Sequence, residues 1–322
     1  MIGSRLLFEG YGVSRKTRPY HAGLLGTDTL IVLDEAHLVP PFEALLRQIA
    51  DGAEQFGSCA VSDAGLVPPF KLLPLSATGR AQPASDGSVA RSAFRLEDED
   101  LSDPIVRDRL SARKTVSFVD MDGDKSALAE ELAHRAWKLA EEGDKPTRSL
   151  IYCDSREVAE KVKAGLDKKR ADSRADTELF VGARRVKERQ IAKAWLENHG
   201  FLAGSPPPTR PAFLIATSAG EVGIDLDADH MVCDLVPWER MVQRFGRVNR
   251  RGQGDATIIV VHGDEPRPKK SDAPMDLELR QAIAFRSLSV LNELPNAGTG
   301  RDASPGALRE LKLRAETDKA LR

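Results

Sequence analysis

The segment TLIVLDEAHL, residues 29–38, constrains the fold more than any other part of this sequence. Its four consecutive apolar residues, 30–33, predict a buried strand, and Asp34, Glu35 and His37 follow the carboxyl end of that strand. Strands that are apolar on both faces are typical of parallel sheets covered by helices. Ligands of such sheets bind at the carboxyl ends of the strands, so acids at this point suit a metal-nucleotide site.

Two polar groups follow successive predicted strands. Asp34 could hold Mg²⁺ through water, and Glu35 could polarise the water that attacks a γ-phosphate, as in an NTP-driven motor. The alternative is a strand that ends in two solvated acids. A second apolar run, 72–75, is followed by Ser76 and Thr78, whose hydroxyls could relay the state of the phosphate to a neighbouring domain. A hydroxyl-capped turn is the alternative there.

Length and composition set broad limits. At 322 residues, 41% of them hydrophobic, the chain is long enough for about two domains of ordinary size. It contains no apolar run long enough to span a membrane and no pattern of a secretory signal. Its three cysteines are far apart and fit a reducing compartment, so we expect a cytoplasmic protein. A formal charge of −2 provides no general basic field, so a nucleic acid would have to be held by a local groove.

Alternating apolar and amphipathic segments predict an α/β fold in three parts. Residues 1–103 read as a partial parallel α/β domain, 104–265 as a second α/β unit, and 266–322 as a linker followed by a helical C-terminal segment. The strands predicted for the second unit are 149–152, 212–216, 231–233 and 257–261. The helices predicted for the second and third parts are 128–140, 156–166, 186–197, 275–294 and 307–321.

Two further motifs lie in the second unit. A loop that contains Gly220, Gly223 and Asp225 separates two apolar strands, and its glycines permit close approach of the backbone to a ligand. In the segment WERMVQRFGRVNRRG, helical spacing predicts that Gln243, Arg247 and Arg250 project from one face. Arginines supplied across a domain cleft stabilise the transferring phosphoryl group in NTPases.

These two motifs also have plain structural explanations. Glycine-rich loops between strand and helix are common, and a salt-bridged helix could carry the same arginines. The acids Glu239 and Asp255 flank the predicted face of Gln243, Arg247 and Arg250 but do not lie within it, which favours the functional interpretation.

The four motifs DEAH, SAT, the Gly/Asp loop and QRFGRVNR occur in the order of motifs II, III, V and VI of superfamily 2 helicases. The longer strings MIGSRLLFEGYGVSR, VLDEAHLVPPFEALLRQI, LPLSATGR, LSDPIVRDRLSARK and QRFGRVNRRG resemble the CRISPR-associated helicase-nuclease of type I interference systems, nearest its type I-G (formerly I-U) branch. The resemblance implies two RecA-like parallel-sheet lobes, the first of them partial, followed by C-terminal helices.

The resemblance also implies an activity and its partners. Proteins of that family use ATP and Mg²⁺, bind single-stranded DNA exposed by a guide-RNA surveillance complex, and translocate along it in the 3′ to 5′ direction in antiviral defence. Four arginines are our candidates for lining the strand, although each also reads as an ordinary solvated arginine. They are Arg5, Arg15, Arg184 and Arg185.

Roles carry over to the matching residues one by one. Asp34 and Glu35 would bind the metal and activate water, and His37 would signal across the cleft. Ser76 and Thr78 would couple hydrolysis to movement.

The resemblance gives roles to the second unit as well. Gly223 lies in the loop where Asp225 would meet the nucleotide or the neighbourhood of Gln243. Arg247 and Arg250 would contact phosphate.

The sequence lacks the loop Gly-x-x-x-x-Gly-Lys-Ser/Thr that holds the β- and γ-phosphates in motors of this class. The nearest string, GYGVSRKT at residues 10–17, has Arg15 where the second glycine belongs, and no apolar strand of sufficient length precedes it. No histidine is followed by aspartate, so a His-Asp nuclease motif is also lacking. We therefore expect an N-terminally truncated helicase whose Met1 is internal to a longer protein, with the phosphate loop encoded upstream or on another polypeptide.

Two alternatives remain open at the level of sequence. One is a fragment of a DEAH-type RNA helicase, which an unwinding assay on RNA and DNA would separate from a DNA helicase. The other is a non-hydrolysing nucleic-acid-binding or scaffold fragment, which the missing phosphate loop favours for the isolated chain and which nucleotide binding would test.

Overall fold

The computed structural model describes residues 2–10, 12–36, 39–51, 68, 70–76, 96–170, 175–182, 186–202, 205–221, 223–263 and 275–317. The chain forms two compact units, Met1–Phe94 and Arg95–Arg322. The three-part division predicted from the sequence, with boundaries after residues 103 and 265, stays a prediction. None of the helices in the described ranges combines the length and the apolar character that a membrane crossing requires.

The first unit contains a two-stranded parallel sheet. In chain order its described elements are α1 (Ile2–Leu6), α2 (Arg18–Gly26), β1 (Leu30–Leu33), α3 (Pro40–Asp51) and β2 (Lys71–Pro74). The strands pair with Leu33 opposite Pro74, which brings their carboxyl ends together. Leu6, Ile31, Leu46 and Phe70 form the buried core of this unit.

The predicted strand at 30–33 is confirmed, but its predicted burial on both faces is wrong. Ile31 is buried, whereas Leu30 and Val32 are 59% and 51% exposed. On the neighbouring strand Leu73 is 37% exposed. One face of the pair therefore packs on helices and the other carries exposed apolar side chains.

The second unit is built around an eight-stranded, mostly parallel sheet. Its described helices are α4 (Asp98–Ser102), α5 (Pro104–Leu110), α6 (Lys125–Leu139), α7 (Arg156–Lys169), α8 (Val186–Asn198), α9 (Trp238–Phe245), α10 (Met275–Leu291) and α11 (Pro305–Thr317). Its strands are β3 (Lys114–Asp120), β4 (Arg148–Tyr152), β5 (Asp176–Phe180), β6 (Ala212–Ala216), β7 (His230–Asp234), β8 (Ala256–His262), β9 (Asn296–Ala297) and β10 (Gly300–Asp302).

Helices cover both faces of this sheet. The strand order is β5-β6-β4-β7-β8-β3-β10-β9, with parallel pairing from β5 to β3 and antiparallel pairing for β10 with β3 and β9. On one face, α6 and α7 pack through residues such as Leu132 and Val162. On the other face, α8 to α11 contribute residues such as Leu196, Phe245 and Leu311. The carboxyl ends of six parallel strands therefore meet at one edge.

Candidate nucleotide and nucleic-acid site

The acidic turn after β1 lies at the carboxyl edge of the first sheet. Asp34 is exposed, and its Oδ1 accepts a hydrogen bond from the backbone N–H of Glu35 at 2.9 Å. Glu35 has a φ of 50°, and the next residue, Ala36, donates from its backbone to the carbonyl of Leu75 at 2.9 Å. This last bond ties the turn to the end of β2. His37 lies outside the described residues.

The donor set of this turn fits magnesium better than a softer metal. Mg²⁺ takes oxygen ligands, keeps several waters, and in nucleotide sites uses one or two carboxylates together with the phosphates. The carboxylates of Asp34 and Glu35 would supply such oxygen ligands without a dedicated cage. In the described ranges no three or more His, Cys, Asp or Glu side chains form a group that could hold a metal.

The hydroxyl predicted to couple hydrolysis to movement lies beside the acids. The backbone N–H of Leu75 donates to the carbonyl of Leu33 at 2.8 Å, and half-buried Ser76 follows directly. Ser76 is thus at the same sheet edge as Asp34, as the parallel strands predicted. Thr78 lies outside the described residues, and the coupling role stays a prediction.

The Gly/Asp loop of the second unit begins with a single 3₁₀ turn, Ser218–Gly220, after β6. The hydroxyl of Tyr152 donates to the carbonyl of Gly220 at 2.6 Å. A Cβ added at Gly220 would lie 2.8 Å from the Cβ of Ala216, so the close approach requires glycine. Gly223 has a φ of +82°, which is the left-handed region that favours glycine. Both glycines shape the loop that leads to Asp225.

The predicted helical face of Gln243, Arg247 and Arg250 is wrong. Helix α9 ends at Phe245, so only Gln243 lies on it, and Gln243 is buried. Asn249, in the turn that follows the helix, has a φ of 41°. Its Nδ2 also donates to the carbonyls of Arg113 at 3.0 Å and Gly254 at 2.6 Å. Both candidate phosphate-binding arginines therefore lie on a turn held from outside the helix.

Buried Glu221 was not identified from the sequence, although it organises the loop. Its carboxylate accepts hydrogen bonds from Arg240 at 2.9 Å and from Nε of Arg244 at 2.7 Å. Burial opposes ionisation of Glu221, but the hydrogen bond from Arg240 and the charge of Arg244 outweigh it, so the pKa of Glu221 is lowered. The spacing of Arg240 and Arg244, one helical turn apart, is the signal that could have pointed to a buried acid.

Arg244 is a fully buried charge of the second unit. Its side chain is 0% exposed, and Nη1 donates to both the carboxylate of Asp234 at 2.8 Å and the Asp234 carbonyl at 2.9 Å. Its guanidinium also lies 5.0 Å from the centre of the Tyr152 ring. Burial alone would lower the pKa of Arg244, whereas the charges of Asp234 and Glu221 raise it. Arg244 thus stays charged and links α9 to the end of β7.

Arg247, Arg250 and Asp225 are brought together by the turn and the loop. Nη1 and Nη2 of Arg247 donate to the carbonyls of Ile224 at 2.7 Å and Glu221 at 2.6 Å. Asp225 Oδ1 lies 2.5 Å from Nη1 of Arg250 and 3.9 Å from Nη1 of Arg247. The structure thus places Asp225 against these two arginines.

The four arginines predicted to line a nucleic-acid strand are only partly described. Arg5 is half-buried in α1, and Arg15 is exposed in a 3₁₀ turn, Arg15–Thr17. Arg184 and Arg185 lie outside the described residues. The roles assigned to all of these residues stay predictions.

The architecture of the second unit defines its class. A mixed α/β fold with a mostly parallel eight-stranded sheet matches the RecA-like lobe of Cas3 helicases. Residues 137–253, which include β4, β6, β7 and the Gln243–Arg250 segment, match the family model for the C-terminal part of the CRISPR-associated nuclease/helicase Cas3. No curated protein matches the chain.

Solved structures show the same fold at low sequence identity. T. fusca Cas3 is 18% identical with a TM-score of 0.61, and the match covers 100% of this chain and 38% of that one. T. fusca Cas3 with AMPPNP is 19% identical with a TM-score of 0.65 and the same coverage of both chains. A chain from a CRISPR RNA-guided surveillance complex, pre-nicking, is 17% identical with a TM-score of 0.59, covering 98% of this chain and 40% of that one. This chain therefore spans 38% of the length of T. fusca Cas3.

Proposed function

We propose that the chain is part of an ATP-dependent single-stranded DNA translocase of type I CRISPR interference, nearest the type I-G branch. One observation carries the proposal. A turn in the region that matches the Cas3 family model presents Arg247 and Arg250 beside the Gly/Asp loop. Arginines in such a position stabilise charge on a transferring phosphoryl group.

Residues of the first unit supply the complementary chemistry in this proposal. Asp34 would hold Mg²⁺ through water, and Glu35 would orient the water that attacks the γ-phosphate. A bound Mg²⁺ neutralises charge on the phosphates when it is present. Arg247 and Arg250 would contact phosphate, while Ser76 would respond to its state from the end of β2.

We further propose that another polypeptide segment supplies the phosphate-binding loop. The sequence has no Gly-x-x-x-x-Gly-Lys-Ser/Thr string, and the segment 10–17 follows helix α1. Leu30 and Val32 of the first sheet are 59% and 51% exposed, whereas parallel sheets are ordinarily covered on both faces. A segment that adds strands and helices here, together with the loop, would complete both the fold and the site. The remaining partners are single-stranded DNA and a guide-RNA surveillance complex.

Nucleotide binding tests the role of the arginine turn, by which we mean the turn that carries Arg247 and Arg250. Arg247→Ala should weaken binding of a fluorescent ATP analogue to the chain because it removes a guanidinium from the phosphate site. Arg135→Ala is a matched control, since Arg135 pairs with Glu131 on α6, away from the turn. Equal loss in both variants, or no binding by the unaltered chain, would contradict a nucleotide site and favour the scaffold reading.

Hydrolysis and substrate choice test the rest of the proposal. The chain alone should show negligible ATP turnover, even with DNA, because positioning of the phosphates carries most of this catalysis. DNA-stimulated turnover that disappears in Glu35→Gln but persists in Glu9→Gln, an exposed acid of the same unit, would reveal a phosphate cradle within this chain. Preference for single-stranded RNA over DNA in a binding titration would instead support the RNA helicase reading.

A further inference from the structure

The guanidinium groups of the arginine turn are held by a single loop of their own unit. Arg247 donates two hydrogen bonds, to the carbonyls of Glu221 at 2.6 Å and Ile224 at 2.7 Å. Arg250 pairs with Asp225 at 2.5 Å, and Asp225 is also 3.9 Å from Arg247. The carboxylate of Asp225 thus lies against both guanidinium groups.

Asp225 is much more exposed than the other acids that hold the turn and its loop, Glu221 and Asp227. Its side chain is 57% exposed, and it follows Gly223, whose φ is +82°. Glu221 is 4% exposed and is held by Arg240 and Arg244. Asp227 is buried and accepts from the backbone N–H of Arg250 at 2.9 Å. Asp225 is therefore the acid of this group that can leave without breaking a buried contact.

We propose that Asp225 is an internal competitor of polyphosphate: its carboxylate holds Arg250 until a phosphate displaces it. The inference rests on the proposed function, in which Arg247 and Arg250 contact phosphate. An ion pair between partly exposed groups is weak, whereas a multiply charged phosphate forms stronger charge-assisted hydrogen bonds with a guanidinium. Displacement of Asp225 by a phosphate is thus favourable overall. Breaking the ion pair of Asp225 with Arg250 still costs free energy, and this cost lowers the affinity of the site for any anion.

This role has a consequence opposite in sign to that of a residue that contacts the ligand. Removal of the Asp225 charge should tighten binding of polyphosphate, because Arg250 is then available without displacement. A residue that hydrogen-bonds the nucleotide, or one that only maintains the loop, would weaken binding when substituted.

Calorimetric titration of the full chain with inorganic triphosphate tests the proposal. Asp225→Asn should bind about two- to fivefold more tightly than the unaltered chain, the range expected for an exposed ion pair. Asp225→Glu keeps the charge and should retain the original affinity. Asp255→Asn is the matched control, because Asp255 forms an exposed pair with Arg113 at 2.5 Å and its substitution changes net charge equally. The tightening should shrink as salt is raised.

The double variant Asp225→Asn/Arg250→Gln separates local competition from general charge. Tightening should be absent when Arg250 is also replaced. Weaker binding by Asp225→Asn, or equal tightening by Asp255→Asn, overturns the proposal. Equal and measurable affinities of the unaltered chain and Asp225→Asn overturn the competition but leave the proposed function standing. No triphosphate binding by any variant overturns both.

Discussion

The Nζ of Lys114 donates a hydrogen bond of 2.8 Å to the backbone carbonyl of Phe245, across 131 positions in the sequence. Lys114 begins β3 and is 3% exposed, and Phe245 is the last residue of α9. A cation at a helix C-terminus is favoured by the partial negative charge of the terminal carbonyls. The bond therefore fixes the end of the helix immediately before the turn that carries Arg247.

Lys114 predicts a pH dependence of stability for the second unit. Burial lowers its pKa from 10.5 to about 8, so between those values the unfolded chain holds a proton that the folded chain has lost. The free energy of unfolding contributed by Lys114 must then rise with pH across this window, by at most about 3 kcal/mol. The free energy of unfolding can be measured in urea from pH 7 to 10 for the unaltered chain and for Lys114→Met. As the pH rises, we expect the value for the unaltered chain to increase relative to that for Lys114→Met. A difference independent of pH would contradict this.

Removal of Arg244 should strongly destabilise the second unit. Arg244→Met leaves the buried carboxylates of Glu221 and Asp234 without their shared counter-charge, which costs about 3–5 kcal/mol in comparable buried pairs. Arg156→Met, which removes an exposed pair with Glu160, should cost less than about 1 kcal/mol. Urea midpoints measure both, and similar midpoints for the two variants would show that the buried network is not required.

Two glycine substitutions in the second unit should have different effects on its stability. Gly220→Ala forces its Cβ to within 2.8 Å of Ala216 and should destabilise by about 1–3 kcal/mol, as overpacking does. Gly165→Ala lies within α7, where the nearest atom would be the Cβ of Ala133 at an ordinary 3.4 Å. That change should be neutral or stabilise by up to about 1 kcal/mol, because alanine favours a helix. Thermal melting compares the two, and loss of stability in both would contradict the packing argument.

Asp229 predicts a second pH dependence, at acid pH. It accepts from the backbone N–H of Arg148 at 2.8 Å and from its Nη2 at 2.5 Å. Burial opposes ionisation, but these bonds outweigh it and lower the pKa of Asp229 from 3.8. Asp229→Asn should therefore cost about 2 kcal/mol at neutral pH, as loss of a charged hydrogen bond does.

The sign of this effect follows from the lowered pKa. The stability that Asp229 contributes is fully present above pH 3.8 and is lost as the pH falls through its folded value. The free energies of unfolding of the unaltered chain and of Asp229→Asn should therefore converge below the folded pKa of Asp229. A constant separation down to acid denaturation would exclude ionisation of Asp229 as the cause.

In the eight-stranded sheet, the strands that could be predicted from sequence are those in the centre. The predicted strand 212–216 coincides with β6, in which every residue is buried, and continuous apolar runs also located β4, β7 and β8. Strands β3 and β5 were not predicted, because they are less uniformly buried and carry polar residues. The hairpin of β9 and β10 is polar and short, and its pairing with β3 depends on residues far away in the sequence.

The candidate site shows the same limit. Sequence order located the acids after β1, because they directly follow the apolar run that forms the strand. Helical spacing placed both Arg247 and Arg250 wrongly, because the helix ends at Phe245. The turn is held by the side chain of Asn249 and by Asp227, which accepts from the backbone N–H of Arg250. The partners of Arg247 are backbone carbonyls, which carry no signature in the amino-acid sequence.

The position of β3 in the sheet has a consequence for biosynthesis. Strand β3 is the first of the second unit, yet its two neighbours are β8 and β10, and the backbone of Ala303 donates to the carbonyl of Lys114 at 2.8 Å. A nascent chain must therefore keep β3 unpaired until residues 256–262 and 300–302 have left the ribosome. Closing such long loops is slow. Chaperone capture during translation should accordingly concentrate on chains that already carry β3 but not yet β8.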